Sequence, residues 1–314
     1  MTTRLCIYFG FGYEEVGYYR YPDGRRYDPP AYILKPDPAL FNRLENVWTM
    51  GIRQGILNDP AKNDNLLEFH LLVRGRYIDN IKESKDDLIF LSGLNDKNGI
   101  SQHSVIIGIF FDSVIVNKKQ QKKNGIQTNL SLELAPALLF NEILGNADFT
   151  RITLDSRGFI TIIDLDKEGK KQYNCFNLYL CDRILCDILI GSKNNITLNA
   201  RQSVGGRDVD SESALGGVVR GLESRRFDGF IKIVNNFDIR MHIPAIWIFV
   251  PGIVLYFDMG IVDNLDYILR PEEVLYTTGA GIFLSGLGFA LTGYINYLIN
   301  EGKISFSFDF NLHF

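Results

Sequence analysis

The sequence predicts an all-β fold: one closed, antiparallel transmembrane β-barrel of about twelve strands spanning residues 1–314, with a long extracellular loop, 191–228, folded inward. Three observations predict it. Apolar and polar residues alternate with a period of two along most of the chain, which sorts them onto opposite faces of strands. The 22 Phe and 15 Tyr favour strands over helices. The polar faces carry full charges repeatedly, and a soluble barrel that buried such a face would lose several kcal/mol for each unpaired ion. An apolar exterior around a wet, polar interior removes that difficulty, and closure pairs every backbone group.

The strands are expected near residues 3–12, 43–56, 66–79, 103–116, 126–140, 148–164, 174–190, 229–243, 246–260, 274–286, 288–299 and 303–314. The third sets Leu67, Phe69, Leu71, Val73 and Tyr77 against Glu68, His70, Arg74 and Arg76. The fifth sets Leu130, Leu132, Leu134 and Leu138 against Asn129, Ser131 and Glu133. The last alternates from Ile304 through Phe306, Phe308, Phe310 and Leu312 to Phe314. Connections on one side are then long (13–42, 80–102, 141–147, 191–228, 261–273, 300–302), and those on the other are mostly short (57–65, 117–125, 165–173, 244–245, 287). The Pro-rich stretch 13–42 reads as an irregular loop. Asp182 falls on the apolar side of the seventh strand under simple alternation, and a bulge near Cys181 is expected to turn it inward.

Composition excludes several classes. Net charge is −4 without a basic field, so no nucleic-acid partner is expected. No run reaches the roughly 20 apolar residues of a spanning helix, and the best, 243–257, is broken by Pro244 and Pro251. Mean hydropathy is −0.01, as alternating strands give. Cys6, Cys175, Cys181 and Cys186 form no CxxC and have no His nearby, so neither a metal nor a cofactor is expected. His103-Ser104 lacks the third group of a hydrolase, and no enzyme is expected. The run 118–123, KKQQKK, reads as a solvated hairpin tip. Export to an outer membrane calls for a cleavable leader. None precedes the first strand, so its removal is expected.

The densest signal lies between Gly216 and Gly260. A glycine-rich loop carries Val219-Arg220-Gly221, and the next two strands carry Asp238 and Asp258, each on the polar face. A planar guanidinium can serve two carboxylates, so Arg220 is expected to pin the loop inside the barrel. The other reading is a solvated loop arginine.

These residues resemble the BamA, TamA and FhaC superfamily of outer-membrane barrels, also called bacterial surface antigens. Val219-Arg220-Gly221-Leu222 resembles the family's V-R-G-F/Y loop motif, with Leu222 in place of the aromatic. Phe257-Asp258-Met259-Gly260 resembles its F-x-D-x-G-type motif, Asp238 its acid on the preceding strand, and 278–282 the glycine-rich run of its third-last strand. Upstream the best similarity is 124–141. The resemblance covers about the last third of the chain, and in family and chain alike five strands follow the motif loop. Two departures stand out: the family usually has sixteen strands, and most members carry POTRA domains ahead of the barrel.

The resemblance implies a loop-pinning set of Val219, Arg220, Gly221, Asp238, Asp258 and Gly260, and a C-terminal assembly signal at Phe310, Leu312 and Phe314. It also implies a Gram-negative-type outer-membrane location. The activity it implies is insertion or assembly of nascent outer-membrane proteins or lipid through a weak seam between first and last strands. A passive pore or structural barrel plugged by its loop, and a lipid-acting enzyme, are the alternatives.

Overall fold

The computed structural model describes residues 3–19, 38–59, 64–80, 100–117, 122–135, 147–164, 176–191, 196, 200, 202–205, 217–222, 228–244, 246–247, 249–263, 266–286 and 289–312. The described chain is all-β apart from a single 3-10 turn at Pro271–Glu273. Its first strands are β1 (Thr3–Tyr19), β2 (Pro38–Asp59), β3 (Asp64–Asn80) and β4 (Ile100–Asp112), followed by the short β5 (Ile115–Asn117), β6 (Lys122–Ala135), β7 (Phe149–Asp164) and β8 (Asn177–Ile190). The two-residue β9 (Gln202–Ser203) and β10 (Asp228–Gly229) pair with each other. The remainder are β11 (Ile231–His242), β12 (Val250–Val262), β13 (Leu275–Gly286), β14 (Phe289–Leu298) and β15 (Lys303–Leu312).

Twelve strands form one antiparallel sheet in the order β1-β2-β3-β4-β6-β7-β8-β11-β12-β13-β14-β15, with β5 added to β6 as a hairpin. Every consecutive pair in this path is a neighbour in sequence or is separated only by short strands (β5, or β9 and β10), so the meander expected from the alternation is present. The boundaries move. β1 runs to Tyr19 and β2 begins at Pro38, so strand pairing occupies part of the stretch read as irregular loop. A register of seventeen residue pairs, from Thr3↔Gln54 to Tyr19↔Pro38, holds those ends together. β12 starts at Val250 rather than 246, because Ile246 and Phe249 bridge each other across a tight turn.

Two expectations are corrected. The sheet is not closed: among the described residues β1 pairs with β2 alone and β15 with β14 alone. β1 carries glycines at 10, 12 and 17, which offer no side chain to a partner strand at those positions. There is also no bulge at Cys181. The β8 ladder runs unbroken from Ile231↔Ile188 to His242↔Asn177, and the shift on its other side lies lower, between Thr161 and Ile163. Cys181 is buried on the inner face, so Asp182 stays on the outer face. There it accepts a hydrogen bond from Asn235 Nδ2 at 2.7 Å, which supplies the polar contact that turning inward would have given.

The two faces are chemically opposite. Large apolar side chains are exposed on the outer face of eleven of the twelve strands, from Leu5 (73%) and Phe9 on β1 through Ile107 on β4 and Leu255 on β12 to Phe308 (64%) on β15, and those of β11 are half-buried. The inner face buries charge: Glu68, Glu133, Arg183, Asp187, Asp238 and Asp258. This is the reverse of a soluble sandwich, whose facing sides are apolar. No described helix is long and apolar enough to cross a membrane.

Candidate functional site: the locked loop and its acids

Alternation decides which side chains β11 and β12 offer to the inner face. On β11 they are Lys232, Val234, Asn236, Asp238, Arg240 and His242, and on β12 they include Val254, Tyr256, Asp258 and Gly260. Asn236 stands opposite Asp258 and Asp238 opposite Tyr256, so the two acids sit diagonally across neighbouring strands.

Loop residues 217–222 lie against this surface. Arg220 Nε donates to Asp258 Oδ2 at 2.7 Å, and Nη2 donates to Asp258 Oδ1 and to Asp238 Oδ1, both at 2.6 Å. The Arg220 backbone N–H adds a bond to Asp258 Oδ2 at 3.0 Å. Both carboxylates are fully buried (0% exposed), so these are charge-assisted bonds away from water, stronger than surface pairs. Tyr256 stacks under the guanidinium, with Cζ 3.7 Å from the ring centroid, and Tyr294 approaches from the side at 5.5 Å.

The loop backbone fits because of its glycines. Gly217 and Gly221 have φ of +64° and +86°, a region costly for any residue with a Cβ. Gly260 clears the floor beneath the loop: a Cβ there would lie 2.5 Å from Val219 Cγ2. Val219 packs with Val204, Leu222, Val234, Val262, Leu275 and Leu298 into a small apolar cluster on the inner face. The site therefore combines an ionic lock with a greasy wedge. Every residue of the expected pinning set, Val219, Arg220, Gly221, Asp238, Asp258 and Gly260, falls within it.

Several members were not singled out from sequence. Arg240 donates to Asp238 Oδ2 through Nε (3.0 Å) and Nη2 (2.7 Å), so Asp238 bridges two arginines. Asn236 Nδ2 donates to Asp258 Oδ1 and to Val218 O, both at 2.8 Å, while its Oδ1 accepts the Gly217 N–H. Tyr256 donates to Asn296, which in turn donates to Ser305 and Ser307 on β15. The lock is thereby tied to the last strand. The i, i+2 spacing of Asn236, Asp238 and Arg240 on one strand face was the available signal.

Other expected features lie apart. Phe314 and Leu138 fall outside the described residues, as do residues 118–121 of the basic run; Phe310 and Leu312 lie in β15, but their side chains are outside the description. His103 sits on the outer face near Trp48, whereas Ser104 points inward and donates to Glu133 Oε1 at 2.6 Å. The two cannot act on one substrate. No disulfide links Cys6, Cys181 and Cys186, and Cys175 is outside the description. Among the described residues no group of His, Cys, Asp and Glu is arranged to hold a metal.

The inner face of β1 to β7 is different. It borders a cavity of ≈ 910 Å³ lined by Arg53, His70, Arg74, Arg76, Glu133 and Arg151 among others. No family model matches the chain, and no curated protein matches it at a significant level.

Proposed function

We propose that the chain is a transmembrane β-barrel of the outer-membrane type that helps nascent outer-membrane proteins insert, by offering the edges of β1 and β15 to an incoming strand. The observation that carries this reading is the pair of strand edges left without a described partner. In lipid an unpaired edge is costly, because no water satisfies its N–H and C=O groups. Such an edge is also a template for strand addition. β1 has 17 residues and β15 has 10, so even a zipped seam leaves part of β1 unmatched. The exposed apolar band supplies the lipid-facing surface, and the buried charges line the lumen. The resemblance of the lock residues to the surface-antigen family points the same way.

The test is reconstitution. Liposomes carrying the protein should fold a second, urea-unfolded barrel several times faster than empty liposomes, read as its heat-modifiable band on a gel. Equal rates, with the protein correctly inserted, would remove the insertase reading.

A second reading is a passive pore, favoured by the cavity beside β1 to β7. It predicts discrete conductance steps in planar bilayers, enlarged by Arg220→Ala because the loop is then released. A silent bilayer for both proteins would end it.

A further inference from the structure

A polar patch interrupts the apolar outer face. Near the middle of β6, β7, β8 and β11 the side chains of Thr128, Ser156, Asp182 and Asn235 point outward. Residues directly opposite in a ladder share a face, and the register gathers these four. Thr128 stands opposite Ser156, Ser156 opposite Ile184, and Ile184 opposite Asn235. Gly158, two residues from Ser156 on β7, stands opposite Asp182. Exposed Ile126, Leu130, Ile152, Ile160 and Ile184 surround the patch.

The patch keeps hydrogen-bonding capacity of both kinds unused. Asn235 Nδ2 donates to Asp182 Oδ1 at 2.7 Å and to Arg183 O at 3.1 Å, which occupies both amide hydrogens. No described residue donates to Asp182 Oδ2 or Asn235 Oδ1. Thr128 and Ser156 bond to each other, with their oxygens 2.9 Å apart, so one of their two hydroxyl hydrogens is used and the other is not. In lipid no water serves such atoms. Gly158 leaves the centre of the patch open: a Cβ there would meet nothing within 4 Å.

We propose that this patch is the contact between two copies of the chain lying side by side in the membrane, related by a two-fold axis that passes beside Gly158. In such a pair one surface meets itself. The hydroxyls lie towards β6 and the carboxyl lies on β8, with Gly158 between them. The axis therefore sets Thr128 and Ser156 of each copy against Asp182 of the other. A donor and an acceptor that are unused within one chain are used between two, and this self-complementarity commits the patch to a second copy. Small and polar residues drive association in lipid, where apolar surface gains nothing by leaving the bilayer. The inference rests on the barrel reading and is independent of insertase activity.

The test is energy transfer between donor-labelled and acceptor-labelled copies reconstituted together in phosphatidylcholine vesicles over a range of protein-to-lipid ratios. Saturable transfer is expected at ratios where a monomeric barrel, labelled alike, shows none. Asp182→Leu should raise the half-saturating ratio tenfold or more, and because it removes a lipid-facing acid, misfolding does not account for the loss. Thr128→Val combined with Ser156→Ala should do the same, while Ile295→Leu, on the outer face of β14, should leave the ratio unchanged. The two deficient proteins should also complement each other. A mixture of them keeps one of the two hydroxyl–carboxyl contacts, so its transfer should exceed that of either alone. Transfer no greater than that of the monomeric barrel, a ratio unmoved by Asp182→Leu, or a mixture no better than its components overturns the pairing. Flotation with vesicles and heat-modifiability are read on every sample. A protein that floats and stays unpaired removes the two-fold contact alone, and one that does not float removes the barrel reading and the contact with it.

Discussion

The two halves of the inner face solve the same electrostatic problem in opposite ways. Along β8 to β15 the inner-face arginines have acids: Arg183 with Asp155 of β7, Arg220 with Asp238 and Asp258, Arg240 with Asp238. A loop then covers the network and excludes water from it. Along β1 to β7 the described pairs are looser and border a cavity: Arg74 reaches Glu133 at 3.5 Å, and Arg151, 27% exposed, pairs with Asp187. Full burial is tolerated where charges are closely matched and hydrogen-bonded, whereas the looser pairs beside the cavity keep part of their surface exposed. The loop therefore covers the side where the pairs are closest.

The largest effect that could break this comparison is Arg220→Ala. It leaves Asp258 buried without its cation, and removal of one partner from a buried pair costs about 3–5 kcal/mol. The folded band should convert to the unfolded form at a clearly lower temperature on a gel. An unchanged transition would show that the lock adds nothing to stability. Gly260→Val should follow, at about 1–3 kcal/mol, because the new side chain collides with Val219 and lifts the loop. Proteolysis of the 191–228 loop in intact liposomes reads that displacement directly, and resistance equal to the parent would contradict the wedge.

A third change acts on the outer face and has the opposite sign. Asp182→Leu removes an acid from the apolar band and should stabilise the protein in lipid by about 1–2 kcal/mol, measured by urea titration in vesicles. Destabilisation would indicate that the Asn235 contact outweighs the exposure. The smallest effect belongs to the open half. Arg151 is 27% exposed although Asp187 is buried, and the glutamine amide of Arg151→Gln keeps a donor on that carboxylate, so the change should cost about 1 kcal/mol in the same titration. A loss as large as that of Arg220→Ala would erase the distinction between the halves.

Much of this was legible from residue order alone. Period-two alternation fixed which side chains of β3, β6 and β15 share a face, because one slip in register would move every apolar residue to the wrong side. The acids at 238 and 258 were recognisable because each lies on a polar face of a strand next to the glycine-rich loop. Other features depend on contacts that spacing does not encode. Arg240 was passed over because its partner, Asp238, had been assigned to Arg220, and nothing in a linear reading shows that one carboxylate serves two cations. The pairing of Asp182 with Asn235 joins residues 53 apart through the register of β8 on β11. The open seam was illegible for a related reason: alternation specifies faces and says little about whether two distant edges meet.

The double duty of Asp238 has a consequence for how the loop could come and go. If Arg220 withdraws, Asp238 keeps Arg240, while Asn236 still donates to Asp258. Only Asp258 is stranded with its charge uncompensated. Release would then resemble a latch with a single catch: a cation arriving beside Asp258, carried by a client or simply by the solvent, replaces what the loop takes away.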